Sequence, residues 1–277
     1  MSGAPDTVPF TVALERMNRF HEPVMHAVIA GLGLAPGSRG IDVGCGVGLY
    51  TLWLAEAVGP DGQVLGIEPS AERVEAARAL VGDRLPPPRL EFQVGDGVEM
   101  DAPAGRFDWL WCGNVLHHIP DTQAALKEFA RVVKPGGRIV IMESQTLPAM
   151  FLPGHPSLER RIQEAESERS REEAGARTFQ ERRQRTLEAL REANLADVAQ
   201  ETHLLQCRAP LTAAARAYIE TVVFGRNWGE RLRPLLSSED WARRAALCDP
   251  QSAEYVLARP DYYCLYPITV FTARNRA

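Results

Sequence analysis

A short acidic, glycine-rich segment constrains the fold of this chain more than any other feature. Asp42-Val43-Gly44-Cys45-Gly46-Val47-Gly48 follows an apolar run that is typical of a buried strand, and it precedes a helical pattern from Leu49 to Val58. Glycine lets the chain turn sharply and lets a ligand approach the backbone, because no Cβ atom blocks the way. The segment therefore predicts a strand-to-helix turn of an α/β fold. A tight turn that binds no ligand is the simpler alternative.

The acidic residue distinguishes this turn from a dinucleotide-binding turn. The dinucleotide pattern G-x-G-x-x-G places its third glycine one position later and presents a helix N-terminus to a pyrophosphate. Asp42 would repel a pyrophosphate, whereas it suits a ligand with a cationic end. The sequence therefore disfavours a nicotinamide-dependent dehydrogenase.

Strands and helices alternate over residues 35–147, which is typical of parallel βαβ units. We predict an α/β fold with a doubly wound, mostly parallel sheet and helices on both faces. The predicted strands are 40–43, 63–68, 90–94, 108–112 and 138–142, and the predicted helices are 49–58, 71–80 and 121–133, the last of them ended by Pro135-Gly136-Gly137.

The pattern changes beyond Leu147. Thr178 and Glu181 form a capping box for a predicted helix that runs to about residue 193. A sixth strand is predicted over 198–207, and an antiparallel edge strand that tolerates Pro267 over 264–272. We divide the chain into an N-terminal helical segment that covers the ligand site (1–36), an α/β core (37–147), helices with the sixth strand (148–210), a helical cap or lid (211–260) and a closing strand (261–277).

Three further polar residues follow predicted strands, at the sheet edge where doubly wound folds bind ligands. Glu68 ends the second strand, 26 residues after Asp42, where a carboxylate can accept hydrogen bonds from both hydroxyls of a ribose. Asp96, between Gly95 and Gly97, can accept from the exocyclic amino group of a purine. Asn114 follows the fourth strand. Any one of them could be a solvated loop residue or a cap, but their order along the strand ends indicates one site.

Five ordered motifs resemble the class I S-adenosylmethionine-dependent methyltransferase family. The likeness covers about residues 37–147, with a weaker similarity in the closing strand. The motifs are Ile41 to Gly48, Gly66-Ile67-Glu68-Pro69-Ser70, Val94-Gly95-Asp96-Gly97, Phe107-Asp108 through Asn114-Val115-Leu116-His117-His118-Ile119-Pro120-Asp121, and Arg131 to Arg138.

The resemblance implies a seven-stranded, Rossmann-like methyltransferase sheet and S-adenosyl-L-methionine as the cofactor. It implies methyl transfer by in-line displacement to an oxygen, nitrogen or carbon atom of a small molecule, which it leaves unspecified. It also implies the residues that hold the cofactor: Asp42 with Gly44, Gly46 and Gly48 at the methionine part, Glu68 at the ribose, Asp96 at the adenine and Asn114 at the amino acid tail, with Cys45, Pro69 and Gly97 as further binding residues.

A base is needed only if the acceptor must lose a proton. His117 and His118 follow the fourth strand and Glu143 ends the fifth, so these three residues are the candidates. A histidine here can instead cap a helix. We expect no metal, because no Cys-x-x-Cys pair, paired histidine spacing or carboxylate trio is recognisable.

Composition narrows the class of protein. The net charge of −5 disfavours a nucleic acid partner, and no apolar run reaches the length of a membrane span. Residues 1–10 lack the pattern of a secretory signal, so we expect a cytoplasmic protein. A homodimer through the cap or first helix is compatible with the sequence. The alternatives are a macromolecule methyltransferase and a cofactor-binding protein of the same fold that transfers no methyl group.

Overall fold

The computed structural model describes residues 8–81, 84–85, 89–174 and 177–276, without the side chains of 172–174. The first seven residues of the predicted N-terminal segment and the last residue of the closing segment lie outside this range. The strands are β1 (Arg39–Val43), β2 (Gln63–Glu68), β3 (Leu90–Val94), β4 (Phe107–Gly113), β5 (Val133–Ser144), β6 (Ala196–Arg208) and β7 (Tyr263–Arg274).

Helices precede, separate and follow the strands. They are α1 (Phe10–Gly31), α2 (Leu49–Ala57), α3 (Ala71–Val81), α4 (Thr122–Val132), α5 (Pro156–Ala174), α6 (Phe179–Gln184), α7 (Thr186–Glu192), α8 (Ala213–Tyr218) and α9 (Ser238–Cys248), with a π-helical stretch at Ile219–Asn227 and 3₁₀ turns at Leu116–His118, Glu230–Leu235 and Val256–Ala258. No helix among the described residues is both long enough and apolar enough to cross a membrane.

The seven strands form one sheet in the order β3-β2-β1-β4-β5-β7-β6. The first five strands pair in parallel, and β7 pairs antiparallel with β5. The strand order reverses between β1 and β4, so the carboxyl ends of these strands flank a topological switch point, where open α/β sheets bind ligands. The predicted fold class is confirmed.

The edge position predicted for the last strand is wrong. β7 lies between β5 and β6, and β6 is the edge strand, with mostly exposed or half-exposed side chains. The β5–β7 register runs from Arg138 paired with Arg274 to Ser144 paired with Ile268. Pro267 lies one residue beyond this register, so its missing N–H removes no hydrogen bond to β5.

Two predicted helix ends differ from the structure. The helix expected from Thr178 to about residue 193 is divided into α6 and α7 at Arg185. Pro135-Gly136-Gly137, predicted as a helix end, belongs to β5, which begins at Val133. The residue pairing of β4 and β5 shifts here, Gly136 has a φ of 76°, and Asn275 bonds the backbone of Gly136 and Gly137, so these residues form an irregularity within β5.

By its internal contacts the chain forms two compact units. One comprises the residues up to His21, Leu147–Gln180 and Leu204–Pro267, and the other comprises Glu22–Thr146, Glu181–His203 and the residues from Ile268 onward. The second unit packs fully buried side chains from strands and helices into one core, including Leu110, Phe129, Ile139, Ile141 and Phe271. The first unit packs aromatic rings against one another, including Phe151, Tyr218, Phe224, Trp228 and Tyr266.

Candidate functional site

The turn after β1 has the backbone that the glycine pattern predicts. Gly44, Gly46 and Gly48 have φ values of 73°, 56° and 81°, a region that L-residues with side chains rarely adopt. A Cβ atom at Gly44 would lie 2.3 Å from a methyl of Val115, and one at Gly48 would lie 2.6 Å from the ring of Phe92. Conformation therefore favours glycine at all three positions, and the lack of space also requires it at Gly44 and Gly48.

Asp42 lies in β1 with 1% of its surface exposed, and its Oδ2 accepts a 2.6 Å hydrogen bond from the Thr51 hydroxyl of α2. Burial raises the pKa of Asp42 to about 7, and the Glu68 carboxylate adds to the rise, although the bond from Thr51 opposes it. This carboxyl group is therefore poised to become ionised when a cationic group approaches.

Glu68 bridges the glycine turn and the next loop. Its Oε2 accepts from the backbone N–H of Gly46 at 3.2 Å, and its Oε1 accepts from the N–H of Ser70 at 3.2 Å. The Arg73 guanidinium lies 3.1 Å from Oε1. Because each carboxylate oxygen can accept more than one hydrogen bond, Glu68 retains capacity for donors of a ligand.

Cys45 and Pro69 differ in exposure. Cys45 is buried, which raises the pKa of its thiol, and its Sγ lies 3.0 Å from where a Cβ at Gly66 would stand. Pro69, directly after Glu68, is exposed. Cys45 therefore packs β2 tightly against the turn as an inert thiol.

The loop after β3 reaches the same region of the sheet. Asp96 is exposed, and its Oδ1 accepts from the N–H of Val98 at 3.0 Å. Gly97 is buried, and a Cβ there would lie 2.7 Å from Val43 at the end of β1. The structure thus brings the loop that follows β3 against the end of β1, next to the glycine turn.

Asn114 follows β4 in a left-handed conformation, with φ of 56°. Its Oδ1 accepts from both the N–H and the hydroxyl of Ser144, each at 2.8 Å. Its Nδ2 is buried and has no hydrogen-bond partner among the described residues. A buried donor without a partner costs free energy of about 1–3 kcal/mol, which a ligand acceptor would recover.

His117 and Glu143 form a buried pair at the ends of β4 and β5. His117 Nδ1 lies 2.6 Å from Glu143 Oε2, and the His117 backbone N–H donates to Oε1 at 3.3 Å. The side chains are 1% and 0% exposed. Burial raises the pKa of Glu143 to about 7, against the opposing effect of Arg183. Burial, Arg183 and Arg182 hold the pKa of His117 well below its ordinary value, so its imidazole is neutral.

Two arginines of α6 contact His117 of this pair, and the sequence analysis did not identify either of them. Arg183 NH2 lies 2.9 Å from His117 Nε2, and Arg182 NH1 donates to the His117 carbonyl oxygen at 3.4 Å. His118 is exposed, and its ring lies 4.1 Å from the ring of His117. The arginines lie within a run, Glu181 to Gln184, that the sequence marks only as polar helix, so no local signal pointed to them.

The structure therefore brings Asp42, the glycine turn, Glu68, Gly97 and Asn114 together at the carboxyl ends of β1 to β4, all within the second unit. No group of three or more His, Cys, Asp or Glu side chains in the described part of the chain could hold a metal ion.

The strand order and the acid-lined glycine turn define the class of protein: a Rossmann-like α/β fold of the methyltransferase type. Residues 41–141 match the family model described as a methyltransferase domain. Over these residues the chain is similar to a methyltransferase domain, and the resemblance seen in the sequence is confirmed.

Among curated proteins, the chain is 38% identical over 113 residues to the demethylmenaquinone methyltransferase of Lysinibacillus sphaericus, over 41% of this chain and 47% of that protein. The chain thus spans about half the length of the curated relatives it matches.

Two solved structures share the fold. The cyclase SpnF has 21% identity and a TM-score of 0.53, over 91% of this chain and 80% of that one. The phosphoethanolamine N-methyltransferase 2 of Haemonchus contortus, in complex with S-adenosyl-L-methionine, has 17% identity and a TM-score of 0.52, over 96% and 52%. At these identities the likeness concerns the fold alone.

Proposed function

We propose that this protein is an S-adenosylmethionine-dependent methyltransferase that acts on a small molecule. The observation that carries the proposal is the buried Nδ2 of Asn114, which has no hydrogen-bond partner in the described part of the chain, beside a glycine turn in which the N–H of Gly46 donates to Glu68. A donor without an acceptor and a carboxylate with spare acceptor capacity fit a ligand that has both a carboxylate and hydroxyl groups.

The residues present fit the cofactor. Glu68 would accept from the ribose hydroxyls, Asp96 from the adenine amino group, and Asn114 Nδ2 would donate to the carboxylate of the methionine tail. Asp42 supports a nearby cationic centre through its charge. Bound S-adenosyl-L-methionine supplies a methyl group on a sulfonium, and the chain's contribution is to orient the acceptor in line with the bond that breaks, which can lower the barrier by about 7–11 kcal/mol.

His117 is the residue we propose as the proton acceptor, when the acceptor atom carries a proton. Nδ1 donates to Glu143, so only Nε2 is able to receive a proton. Both Glu143 oxygens accept bonds from His117 and the side chain is fully buried, so we assign Glu143 the part of orienting the imidazole. His118 is exposed beside this pair and remains a candidate for contact with the acceptor.

The acceptor class rests on the curated relatives and on the charge of the chain. The similarity to a demethylmenaquinone methyltransferase covers 41% of this chain, so it supports a small molecule without naming one. The net charge of −5 supports the absence of a nucleic acid partner. A cytoplasmic location, a homodimer and a lid at 211–260 over the site stay predictions.

The first experiment is calorimetric titration of S-adenosylhomocysteine into the wild-type protein and Glu68→Gln. We expect the variant to bind roughly tenfold to a hundredfold more weakly, because hydrogen bonds to the charged carboxylate are lost. Glu72→Gln, an exposed carboxylate in the first turn of α3, is the matched control and should bind like the wild type. Absence of binding to the wild-type protein would refute the cofactor assignment.

A second candidate function is cofactor binding on the same fold without methyl transfer. The bond from Arg183 to His117 Nε2 favours it, because the proposed base is occupied. Methyl-labelled cofactor incubated with phenols, quinols, amines and carbon acids separates the two functions. Label in a product supports transfer. Tight S-adenosylhomocysteine binding with no label transferred to any acceptor supports the second function.

A further inference from the structure

Arg183 reaches the His117–Glu143 pair from a distant part of the chain. It lies on α6, 66 residues beyond His117. Its NH2 is 2.9 Å from His117 Nε2, and its Nε is 3.6 Å from Glu143 Oε2. The Arg183 side chain is 19% exposed, so the guanidinium lies between a buried pair and the surface.

The hydrogen positions of this cluster follow from the partners. Arginine has donors and no acceptor, so Nε2 of His117 must be the acceptor of the bond from Arg183. The imidazole proton is then on Nδ1 and donates to Glu143 Oε2 at 2.6 Å. The other carboxylate oxygen accepts from the His117 backbone N–H. Only the neutral, Nδ1-protonated imidazole with an ionised Glu143 makes all of these bonds.

The charges agree with the same arrangement. Glu143 and Arg183 cancel, so a neutral His117 leaves the cluster without net charge. A protonated His117 would lose its bond to Arg183 and would place a second cation next to the first, in a site where burial makes charge expensive. The pair is also faced by Arg182, whose NH1 donates to the His117 carbonyl, and by the ring of His118. Neither supplies a compensating negative charge.

We propose that Arg183 is a positioning residue that fixes His117 as the neutral, Nδ1-protonated tautomer and keeps its Nε2 occupied until an acceptor binds. This step rests on the proposed function. A proton from the acceptor reaches Nε2 of His117 only after the guanidinium of Arg183 moves away from that nitrogen. An acceptor that presents an oxygen anion or another hydrogen-bond acceptor to Arg183 provides the guanidinium with a new partner. Arg183 thereby couples acceptor binding to the availability of the base.

The test is a pH titration of the ¹⁵N-labelled histidines by NMR, with the His117 signals assigned by their loss in His117→Gln. In the wild type we expect a neutral ring between pH 6 and 8, with a pyridine-type Nε2 and a protonated Nδ1. In Arg183→Met we expect the titration midpoint of His117 to rise by at least about one unit, because one of the two cations that oppose its protonation is removed while Glu143 stays in contact with the ring.

Two variants control the result. Arg183→Lys keeps a cationic donor and should restore the wild-type spectrum at least in part, which a merely structural role would not produce. Arg182→Met, the same change at the neighbouring residue, should leave the His117 tautomer as in the wild type. A wild-type His117 with the proton on Nε2, a wild-type ring that is protonated at pH 7, or an Arg183→Met titration identical to that of the wild type would overturn the proposal.

The NMR result is independent of activity, so the proposed function can fail while this inference stands. If methyl transfer is found, Arg183→Met should add an acidic limb to the pH profile of single-turnover methylation, since its His117 must lose a proton before it can act. A profile with the same shape as the wild type would contradict the link between Arg183 and the base.

Discussion

At the scale of single residues, the buried carboxyl group of Asp42 affects how this protein responds to pH. Burial raises the pKa of Asp42 to about 7, whereas an aspartate titrates near pH 4 in an unfolded chain. Between about pH 4 and 7 the folded protein therefore holds a proton that the unfolded chain has lost. The stability that this proton gives is fully present below about pH 4 and is lost as the pH rises through about 7.

Asp42→Asn tests this pH dependence at one residue. An amide cannot ionise, and its oxygen can still accept from Thr51, so the variant avoids the cost of a buried charge. From pH 5 to pH 8 we expect the free energy of unfolding of the variant to gain about 2 kcal/mol relative to the wild type. Urea unfolding at the two pH values measures the difference. The exposed Asp101→Asn is the control, and an equal gain there would contradict the assignment to Asp42.

At the scale of elements, the start of α2 depends on backbone conformations that glycine provides. Gly48 precedes this helix with φ of 81°, and Phe92 of β3 occupies the space beside it. The glycine turn therefore sets the direction in which α2 leaves β1 and lets the helix start pack closely against Phe92.

Comparison of Gly48→Ala with Gly59→Ala should separate the cost of a positive φ angle from the cost of the missing space beside Phe92. Gly59 has a similar φ of 76° but nothing within 4 Å of a new Cβ, so its variant measures conformational strain alone, about 1–2 kcal/mol. Gly48→Ala adds overpacking against Phe92, and we expect its total cost to be about 3 kcal/mol or more. Denaturant unfolding of both variants provides the comparison, and equal costs would show that Phe92 yields without penalty.

The first turn of α4 depends on a side-chain cap. Asp121 accepts from the N–H of Ala124 at 2.9 Å, and an unpaired N–H at a helix start is destabilising. Asp121→Ala should lower the free energy of unfolding by about 1 kcal/mol, whereas Asp121→Ser, which retains a capping oxygen, should lose less than half of that. Chemical denaturation of both variants checks the difference, and equal losses would argue against the cap.

At the scale of the whole molecule, one of the two units contains every residue of the candidate site. Asp42, Glu68, Asp96, Asn114, His117 and Glu143 lie within Glu22–Thr146, and Arg183 lies within Glu181–His203, the second segment of the same unit. The helices at 211–260, predicted as a lid, belong to the other unit. We therefore expect a bound cofactor to slow hydrogen exchange mainly in four turns of this one unit.

Hydrogen exchange with and without S-adenosylhomocysteine tests this expectation. We expect slower exchange at the turns 44–48, 68–70, 95–98 and 113–118, because a bound ligand satisfies or covers their backbone groups. The turn at 59–62 precedes β2, at the opposite end of the strand from Glu68, and should be unchanged. Protection that spreads equally to 59–62 would indicate general stabilisation instead of a local site. Additional protection in 211–260 would support the predicted lid.

Local patterns in the sequence were sufficient for the α/β core. Strand and helix periodicity is a property of neighbouring residues, so β1 to β4 and the helices between them follow the predicted bounds within a few residues. The glycine turn was predictable for the same reason, because positive φ angles select glycine whatever surrounds them. The strand-end positions of Glu68, Asp96 and Asn114 follow from the parallel order of the strands. Their roles in binding stay predictions.

Tertiary structure decided the rest. Whether β6 or β7 forms the sheet edge depends on pairing between segments far apart in the chain, and the turn-like Pro135-Gly136-Gly137 is held in β5 by Asn275. The proposed control of the His117 tautomer by Arg183 depends on a contact between residues that lie 66 positions apart in the chain. The sequence by itself determined the conformation of short segments and which polar residues stand at the strand ends. Only the folded chain determined which distant charges meet, because burial and pairing between remote residues leave no periodic trace in the sequence.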